Sequence, residues 1–264
     1  MERITSGDAE IFYEVLGSGA PVVLLHPFPA NHEFWHPAAQ KLISRYRLIL
    51  PDLRGHGESG VGEGPARMEK HAEDLARILD HAEVGRAPIV GVSIGGYIFF
   101  EFWRRYRSRV AAVVLCNTKA QADTPEAKAN RLQAATDVLK RDAEPFFESM
   151  IPRLLGKTTR ETRPDLVDGA LAMMRKMSPE DVAQVQRGMA ERPDSVPILR
   201  TINVPTLLVT GDEDILTGPP ETELMHRNIA GSEMKVVPRA GHFSPWEQSG
   251  EVGKILRQFL DSGA

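Results

Sequence analysis

A single serine lies among glycines in segment 91–95 (GVSIG), directly after the apolar run 87–90. The pattern G-x-S-x-G is typical of a nucleophilic serine on a sharp turn when it follows a strand and precedes a helix, here predicted over 88–92 and 95–106. Bulky neighbours would clash in such a turn, and the two glycines remove the clash. Alternatively, the glycines only let a helix pack closely on a strand. We expect Ser93 to be a nucleophile.

A serine nucleophile needs a general base and an acid that orients the base. His242 lies in a loop after the last predicted strand and is predicted to be the base; a surface histidine is the alternative. Asp214 follows the predicted strand 205–210 and is predicted to be the acid. Asp212 and Glu213 are alternatives for the same role, because three acids are consecutive here.

Acyl transfer also needs two N–H groups that stabilise the oxyanion of the tetrahedral intermediate. The residue after the serine, Ile94, supplies one. The loop 26–29 (HPFP) follows the predicted strand 22–25, and its two prolines have no N–H. We therefore expect the second N–H to be that of Phe28, and we expect His26 to hold this loop by hydrogen bonds rather than act as a base.

Methionines and aromatic side chains are candidates for the wall of a substrate pocket. Methionine is flexible and suits a pocket that accepts varied acyl chains. The alternative is that methionines at helical spacing belong to the core. The candidates are Phe28, Trp35, Met150, Met173, Met174, Met177 and Met189.

The charges near these candidates predict a neutral substrate. The cations of the stretch after residue 118 are spaced as an exposed face would be, so no fixed group for a charged substrate is expected: Lys119, Lys128, Arg131, Lys140 and Arg153. Small neutral esters or lactones are therefore the expected substrates. No H-x-H-x-D-H cluster occurs, so we expect neither a metal nor another cofactor.

Short apolar runs predict the strands that position these residues. Segments 2–6 and 10–16 flank a Gly-Asp turn and predict a hairpin. The later runs are mostly continuous and apolar, as in strands buried on both faces, and helical patterns such as 68–82 lie between several of them. This alternation predicts a mostly parallel sheet covered by helices. The later runs are 22–25, 47–50, 89–92, 110–115, 205–210 and 235–237.

The alternation stops between about 119 and 200, where helical patterns occur without a convincing strand. Thr124-Pro125 and Ser178-Pro179 read as helix caps followed by proline at the first helical position. We expect a core formed by 1–118 and 201–264, with a helical cap over 119–200 that acts as a lid.

Composition limits the class of protein. The chain has 264 residues, of which 42% are hydrophobic and 26% charged, as in globular proteins with a sizeable core. The net charge of −4 argues against nucleic acid or an acidic membrane as a partner. Cys116, the single cysteine, is expected to be a buried thiol. The first residues contain no apolar signal segment. We expect a cytoplasmic monomer or homodimer acting on a small molecule.

Together these residues resemble the serine α/β-hydrolase superfamily. The order serine, aspartate, histidine fits it, and segment 51–59 (PDLRGHGES) is similar to its loop after the fourth strand, where His56 is structural. The resemblance covers nearly the whole chain and implies an α/β-hydrolase fold with an eight-stranded sheet and a helical lid. His-Pro at 26–27 departs from the His-Gly of many relatives.

Within the superfamily the chain is most similar to the esterase and 3-oxoadipate enol-lactonase branch, which includes acyl-homoserine lactone hydrolases. Dehalogenases and epoxide hydrolases carry aspartate where this chain has Ser93. The resemblance implies a carboxylesterase or lactonase. Enol-lactonase activity and cofactor-free perhydrolase activity are alternatives. A ligand-binding receptor of the same fold, without turnover, is an alternative from another class.

Overall fold

The structure, a computed structural model, describes residues 1–263. Ala264, the last residue of the predicted core, lies outside the described residues. Eight strands form one sheet, and all eight predicted strands are confirmed: β1 Glu2–Ser6, β2 Ala9–Leu16, β3 Ala20–Leu25, β4 Tyr46–Pro51, β5 Ala87–Val92, β6 Val110–Cys116, β7 Thr206–Gly211 and β8 Glu233–Val237.

The sheet has the order β1-β2-β4-β3-β5-β6-β7-β8. The hairpin β1–β2 and the pair β2–β4 are antiparallel, and every later pair is parallel. The strands β3, β5, β6, β7 and β8 therefore end at one edge of the sheet. Loops at this edge are where open α/β sheets bind ligands, and all the predicted catalytic residues follow these strands.

Helices cover the sheet because its central strands are apolar on both faces. In β3, residues 22–25 are at most 1% exposed. Helix α2 places its predicted stripe of Met68, Ala72, Leu75, Ile78 and Leu79 against the core. The helices are α1 His36–Ala39, α2 Met68–His81, α3 Ile94–Tyr106, α4 Pro125–Lys140, α5 Glu144–Leu154, α6 Lys157–Thr162, α7 Pro164–Met174, α8 Pro179–Ala190, α9 Pro219–Asn228, α10 Ser244–Glu247 and α11 Ser249–Asp261.

The five helices α4 to α8 lie between β6 and β7, in the stretch predicted to be a cap. The predicted start of α4 is confirmed, because the side chain of Thr124 accepts a hydrogen bond from the N–H of Ala127. Ser178 and Asp181 form a reciprocal capping box at the start of α8. Helices α4 and α8 pack against each other. Within residues 1–263, no helix combines the length and apolar composition needed to cross a membrane.

Candidate active site

Ser93 is the residue between β5 and α3, and its backbone has φ 53° and ψ −111°. A positive φ is unfavourable for any residue with a side chain, so the surrounding structure must hold it. The Ser93 N–H donates to the carbonyl of Cys116 at 3.1 Å, and its own carbonyl accepts from Thr118 Oγ1 at 2.7 Å. The end of β6 and the residues just beyond it thus hold the turn by two hydrogen bonds.

The glycines around Ser93 allow the turn by allowing close packing. A Cβ on Gly91 would lie 2.5 Å from the carbonyl carbon of Gly95, and a Cβ on Gly95 would lie 2.9 Å from the Cβ of Leu25. Both distances are shorter than any normal carbon contact. The two interpretations of the glycines, close helix packing and a tight turn at the serine, therefore describe the same feature. The glycines let α3 lie close to the sheet, and this close packing forms the turn that carries Ser93.

Asp214 and His242 meet beside this turn. His242 Nδ1–H donates to Asp214 Oδ2 at 3.0 Å, and both side chains are buried. This fixes the imidazole so that its Nε2 is free for another partner. His242 and Ser93 line the same cavity. Within residues 1–263 the structure has no hydrogen bond between Ser93 Oγ and His242 Nε2; such bonds are often long without a substrate.

The carboxylate of Asp214 is held in its ionised form. Burial alone would raise its pKa, but the charge and hydrogen bond of His242, with hydrogen bonds from Asn117 and the N–H of Leu216, hold the pKa well below its usual range. The N–H of Leu216 donates to Oδ1 at 2.8 Å, and the hydroxyl of Thr217 donates to Oδ2 at 3.1 Å. An acid with this environment can stabilise a positive imidazole.

The two alternative acids do not contact His242 among the described residues. Asp212 is exposed and accepts a hydrogen bond from the N–H of Ala240 at 3.3 Å. Glu213 accepts from the N–H of Thr158 at 2.8 Å, at the start of α6. The geometry therefore favours Asp214 over both neighbours, and gives Glu213 a different contact, between the β7 loop and the cap.

Asn117 is part of the site, and sequence reasoning missed it. It follows β6 directly, and its Nδ2 donates to Asp214 Oδ2 at 2.9 Å and to the carbonyl of Gly241 at 3.1 Å. Its Oδ1 accepts from the hydroxyl of Ser244 at 2.5 Å. One amide thus ties the acid to the loop that carries His242. The sequence did contain a signal for Asn117, because it is a polar residue at the end of the apolar strand that pairs with the strand before Ser93.

Glu247, on α10, was also missed. Its buried carboxylate accepts from the N–H of Gly241 at 2.8 Å and from the N–H of Gly156 at 2.7 Å. Burial raises its pKa, against hydrogen bonds that lower it. Because Gly241 precedes His242 and Gly156 precedes α6, this side chain joins the histidine loop to the start of α6.

The N–H groups of Phe28 and Ile94, the two predicted oxyanion donors, have no hydrogen-bond acceptor among the described residues, and Ile94 begins α3. His26 supports the first loop: its Nε2 accepts from the N–H of Leu53 and its Nδ1 donates to the carbonyl of Pro27, both at 2.9 Å. Burial lowers the pKa of His26 to about 3, so it is neutral, in agreement with the structural role expected for it.

A cavity of about 360 Å³ lies over Ser93 and His242, in the size range of small-molecule sites. One face comes from the core and its loops, and the other from α4, α5 and α8. Three predicted wall residues line it, namely Phe28, Met150 and Met189. The wall includes Phe28, Tyr97, Phe146, Met150, Leu154, Met189, Ile215 and Leu216.

Four predicted wall residues do not line the cavity, and that prediction is corrected. Trp35 is fully buried and packs edge-on against Phe34, with ring centroids 5.4 Å apart. Met173 and Met174 end α7 on its buried face, and Met177 is buried just beyond. These side chains fill the interior, which is the alternative that helical spacing left open.

The prediction of an exposed cationic face is wrong for Lys119 and Arg131, which are only partly exposed, whereas Arg153 is exposed as predicted but on the wall of the cavity. Lys119, Arg131 and Arg153 line the cavity, whereas Lys128 and Lys140 are exposed outside it. Helical spacing does not distinguish a face toward solvent from one toward a solvent-filled cavity. The premise for a neutral substrate therefore fails.

One group of side chains in residues 1–263 could hold a metal ion. The ligand atoms of Glu14, His32 and His36 lie within 4.8 Å of one another. His32 Nδ1 lies 2.8 Å from Asp52 Oδ1, which leaves Nε2 as the atom for a ligand bond. None of the three lines the cavity over Ser93, so an ion there would not touch a substrate at the serine.

The sequence model of the α/β-hydrolase fold family matches residues 20–249, so the chain belongs to this family. A thermophilic esterase from Thermogutta terrifontis, solved with malate bound, is 39% identical with a TM-score of 0.96, over 99% of both chains. A putative carbamate hydrolase, RutD, from Azorhizobium caulinodans is 38% identical, but the match spans only 44% of this chain and 44% of that protein. The 3-oxoadipate enol-lactonase 2 of Acinetobacter baylyi is 25% identical over 94% of this chain and 91% of its own.

Proposed function

We propose that the protein is a serine hydrolase of small carboxylic esters or lactones, in the carboxylesterase and lactonase class. The observation that carries the proposal is the juxtaposition at one cavity of Ser93, in its strained turn, and His242, bonded to an ionised Asp214. A nucleophile, a base and a group that orients the base are the requirements of acyl transfer.

In the first half of the proposed reaction, His242 Nε2 takes the proton of Ser93 as Oγ attacks the ester carbonyl carbon. Asp214 keeps Nδ1 protonated and stabilises the imidazolium that forms. The N–H groups of Phe28 and Ile94 donate to the oxyanion, each contributing about 3 kcal/mol by analogy with other serine hydrolases. The imidazolium then protonates the leaving alcohol, and an acyl-enzyme remains.

In the second half, His242 takes a proton from water, which attacks the acyl-enzyme at the same carbon. The second tetrahedral intermediate uses the same two N–H groups, and its collapse returns the proton to Ser93. With a lactone, the leaving alcohol stays tethered to the acyl group and can re-attack unless it moves away. The cap, proposed over 119–200 as a lid on a core of 1–118 and 201–264, would control water and product exchange.

Two relatives that match nearly the full chain, the Thermogutta esterase and the Acinetobacter enol-lactonase, support the ester and lactone classes. Enol-lactonase-like activity is the second candidate, because the cavity has the cationic wall that a charged lactone requires. Acyl-homoserine lactones belong to the same screen as neutral lactones.

The test is turnover of p-nitrophenyl acetate and butyrate by the wild-type chain and by Ser93→Ala. We expect Ser93→Ala to lose roughly 10⁴- to 10⁶-fold in kcat with an unchanged unfolding midpoint. An organophosphate should add once, at Ser93. Steady turnover separates an enzyme from a receptor of the same fold, which would bind ligand without product release. Full activity in Ser93→Ala would refute the serine mechanism.

A further inference from the structure

The ionisable side chains that line the cavity are mostly positive. Lys119, Arg131 and Arg153 share the wall with a single carboxylate, Asp123, and the remaining titratable side chains there are His242 and Tyr97. A small cavity with an excess of positive charge attracts and holds anions. A cation is free to bind such an anion only if it has no charged or hydrogen-bonding partner within the protein, so the partners of each cation decide which of them can bind it.

Asp123 is fully used within the protein. It lies 2.6 Å from Arg131 Nε and 2.7 Å from Arg192 Nη1, and it is almost completely buried. Arg131 also donates to Gln186 at 2.9 Å, and the guanidinium of Arg192 lies over the ring of Tyr97 at 4.2 Å. These contacts fix both arginines and leave no acceptor of Asp123 for another cation.

Lys119 and Arg153 have no such partner. Among residues 1–263, no carboxylate lies within 4.0 Å of either charged group, and neither side chain takes part in a hydrogen bond. Lys119 is partly buried, beside the Asp123 cluster, whereas Arg153 is exposed to solvent on the cavity wall. A cation such as Lys119, without a partner in a partly desolvated place, costs stability, which a bound anion would offset.

The local potential at Lys119 supports the same conclusion. Burial lowers the pKa of its amine, and the guanidinium groups of Arg192 and Arg131 lower it further, against Asp123 and Glu221, which act to raise it. The amine therefore lies in a partly desolvated place with two guanidinium groups nearby. An anion bound there would interact with several cations at once.

We propose that the substrate is a small ester or lactone that carries a carboxylate, which Lys119 and Arg153 bind while Ser93 attacks the ester carbonyl. This inference rests on the ester hydrolysis proposed above and narrows its substrate class to monoesters of dicarboxylic acids or carboxylate-bearing lactones.

The positions of the two cations fit one short, charged substrate. Lys119 lies three residues beyond β6, next to the strand that ends at Ser93, so it belongs to the core side of the cavity. Arg153 is on α5, on the face that also carries Phe146 and Met150 into the cavity. The apolar part of a substrate can contact this face while its carboxylate lies between the core and cap cations.

The experiment compares monomethyl glutarate with methyl pentanoate, a neutral ester of similar length, by pH-stat titration. We expect the wild-type enzyme to favour the charged ester by at least tenfold in kcat/KM. Lys119→Gln and Arg153→Gln should each lose about 10- to 100-fold on the charged ester and less than about threefold on the neutral one, as for hydrogen bonds to a charged group. Lys128→Gln removes the same charge from an exposed position outside the cavity, and should change neither value.

Two results of the kinetic comparison would overturn the inference. One is a preference for the neutral ester. The other is an equal loss on both esters in Lys119→Gln, which would indicate a general electrostatic role. Binding of monomethyl glutarate to Ser93→Ala, measured by calorimetry, tests charge recognition without turnover. We expect binding that weakens at least tenfold when Lys119→Gln is added. If Ser93→Ala still hydrolyses esters while the charge preference persists, the serine mechanism fails and the anion site stands. Absence of binding to Ser93→Ala would remove the anion site alone.

Discussion

The strain at Ser93 is a cost that the rest of the fold must offset. A residue with a side chain at positive φ is disfavoured by roughly 1–3 kcal/mol, and here the Cys116 carbonyl and the Thr118 hydroxyl hold the turn in place. The same turn starts α3, so the N–H of Ile94, its first residue, has no acceptor within the helix and lies next to Ser93 in the chain. The position of the proposed nucleophile and the supply of a proposed oxyanion donor therefore depend on one structural feature.

At the acid position, a matched pair of substitutions separates Asp214 from Asp212. Asp214→Asn replaces an ionised acceptor of His242 with an amide, so the imidazole loses its orientation and the stabilisation of its positive form. We expect a loss of roughly 10⁴-fold in kcat on p-nitrophenyl butyrate, by analogy with other triads. Asp212→Asn makes the same chemical change at an exposed carboxylate and should stay within about threefold. A larger loss in Asp212→Asn than in Asp214→Asn would show that Asp212, and not Asp214, is the acid that orients His242.

Residues that follow strands could be predicted from sequence, and residues that approach from other elements could not. Ser93 lies directly after a predicted strand, and Asp214 and His242 lie in the loops after two others, in an order typical of one fold. Asn117 also follows a strand, but its contact with Asp214 depends on how two loops meet. Lys119 and Arg153 enter the same cavity from the core and from α5, and no local pattern indicates that they share it.

At the scale of elements, the strands were predictable because buried parallel strands need continuous apolar runs. The helix starts at Thr124 and Ser178 were predictable because capping is local. The orientation of helices α4 to α8 was not, because such a helix can have one face on the core, another on a cavity and a third in solvent. This is why Met173 and Met177 were expected in the cavity and lie in the core.

The contact between the cap and the histidine loop gives a test of how these elements are joined. Glu247→Gln keeps one oxygen acceptor but sets an NH₂ group against an N–H of Gly156 or Gly241, so one buried donor loses its acceptor. We expect a loss of about 1–3 kcal/mol in the free energy of unfolding, measured with urea, and a lower kcat as the His242 loop loosens. Glu251→Gln, an exposed change at the start of α11, is the control.

If the hydrogen bonds of Glu247 to Gly156 and Gly241 both stabilise the fold and position His242, then Glu247→Gln must lower both the stability and kcat. Stability equal to that of Glu251→Gln would show that solvent replaces the lost acceptor. Reduced stability with unchanged kcat would show that Glu247 supports the cap without positioning the histidine.

At the scale of the whole molecule, buried histidines couple stability to pH. Burial lowers the pKa of His26 to about 3, lowers that of His56 to about 4, and holds that of His71 well below its usual range. All three are neutral in the folded chain, whereas an unfolded chain protonates histidine below about pH 6.5. Below that pH the unfolded state binds more protons, so acid favours unfolding.

The stability that these histidines contribute is fully present above pH 6.5 and is lost as the pH falls toward 4. Each histidine that is protonated only in the unfolded state lowers the free energy of unfolding by up to about 1.4 kcal/mol for each pH unit of acidification. His71→Leu tests this, because both ring nitrogens of His71 are buried without a hydrogen-bond partner among residues 1–263. Urea unfolding is measured from pH 7.5 to 5. In His71→Leu the free energy of unfolding should depend less steeply on pH than in wild type, by the equivalent of about one bound proton. His226→Leu, the same change at an exposed histidine, should keep the wild-type slope. Equal slopes in His71→Leu and wild type would mean that His71 takes up its proton in the folded state as well.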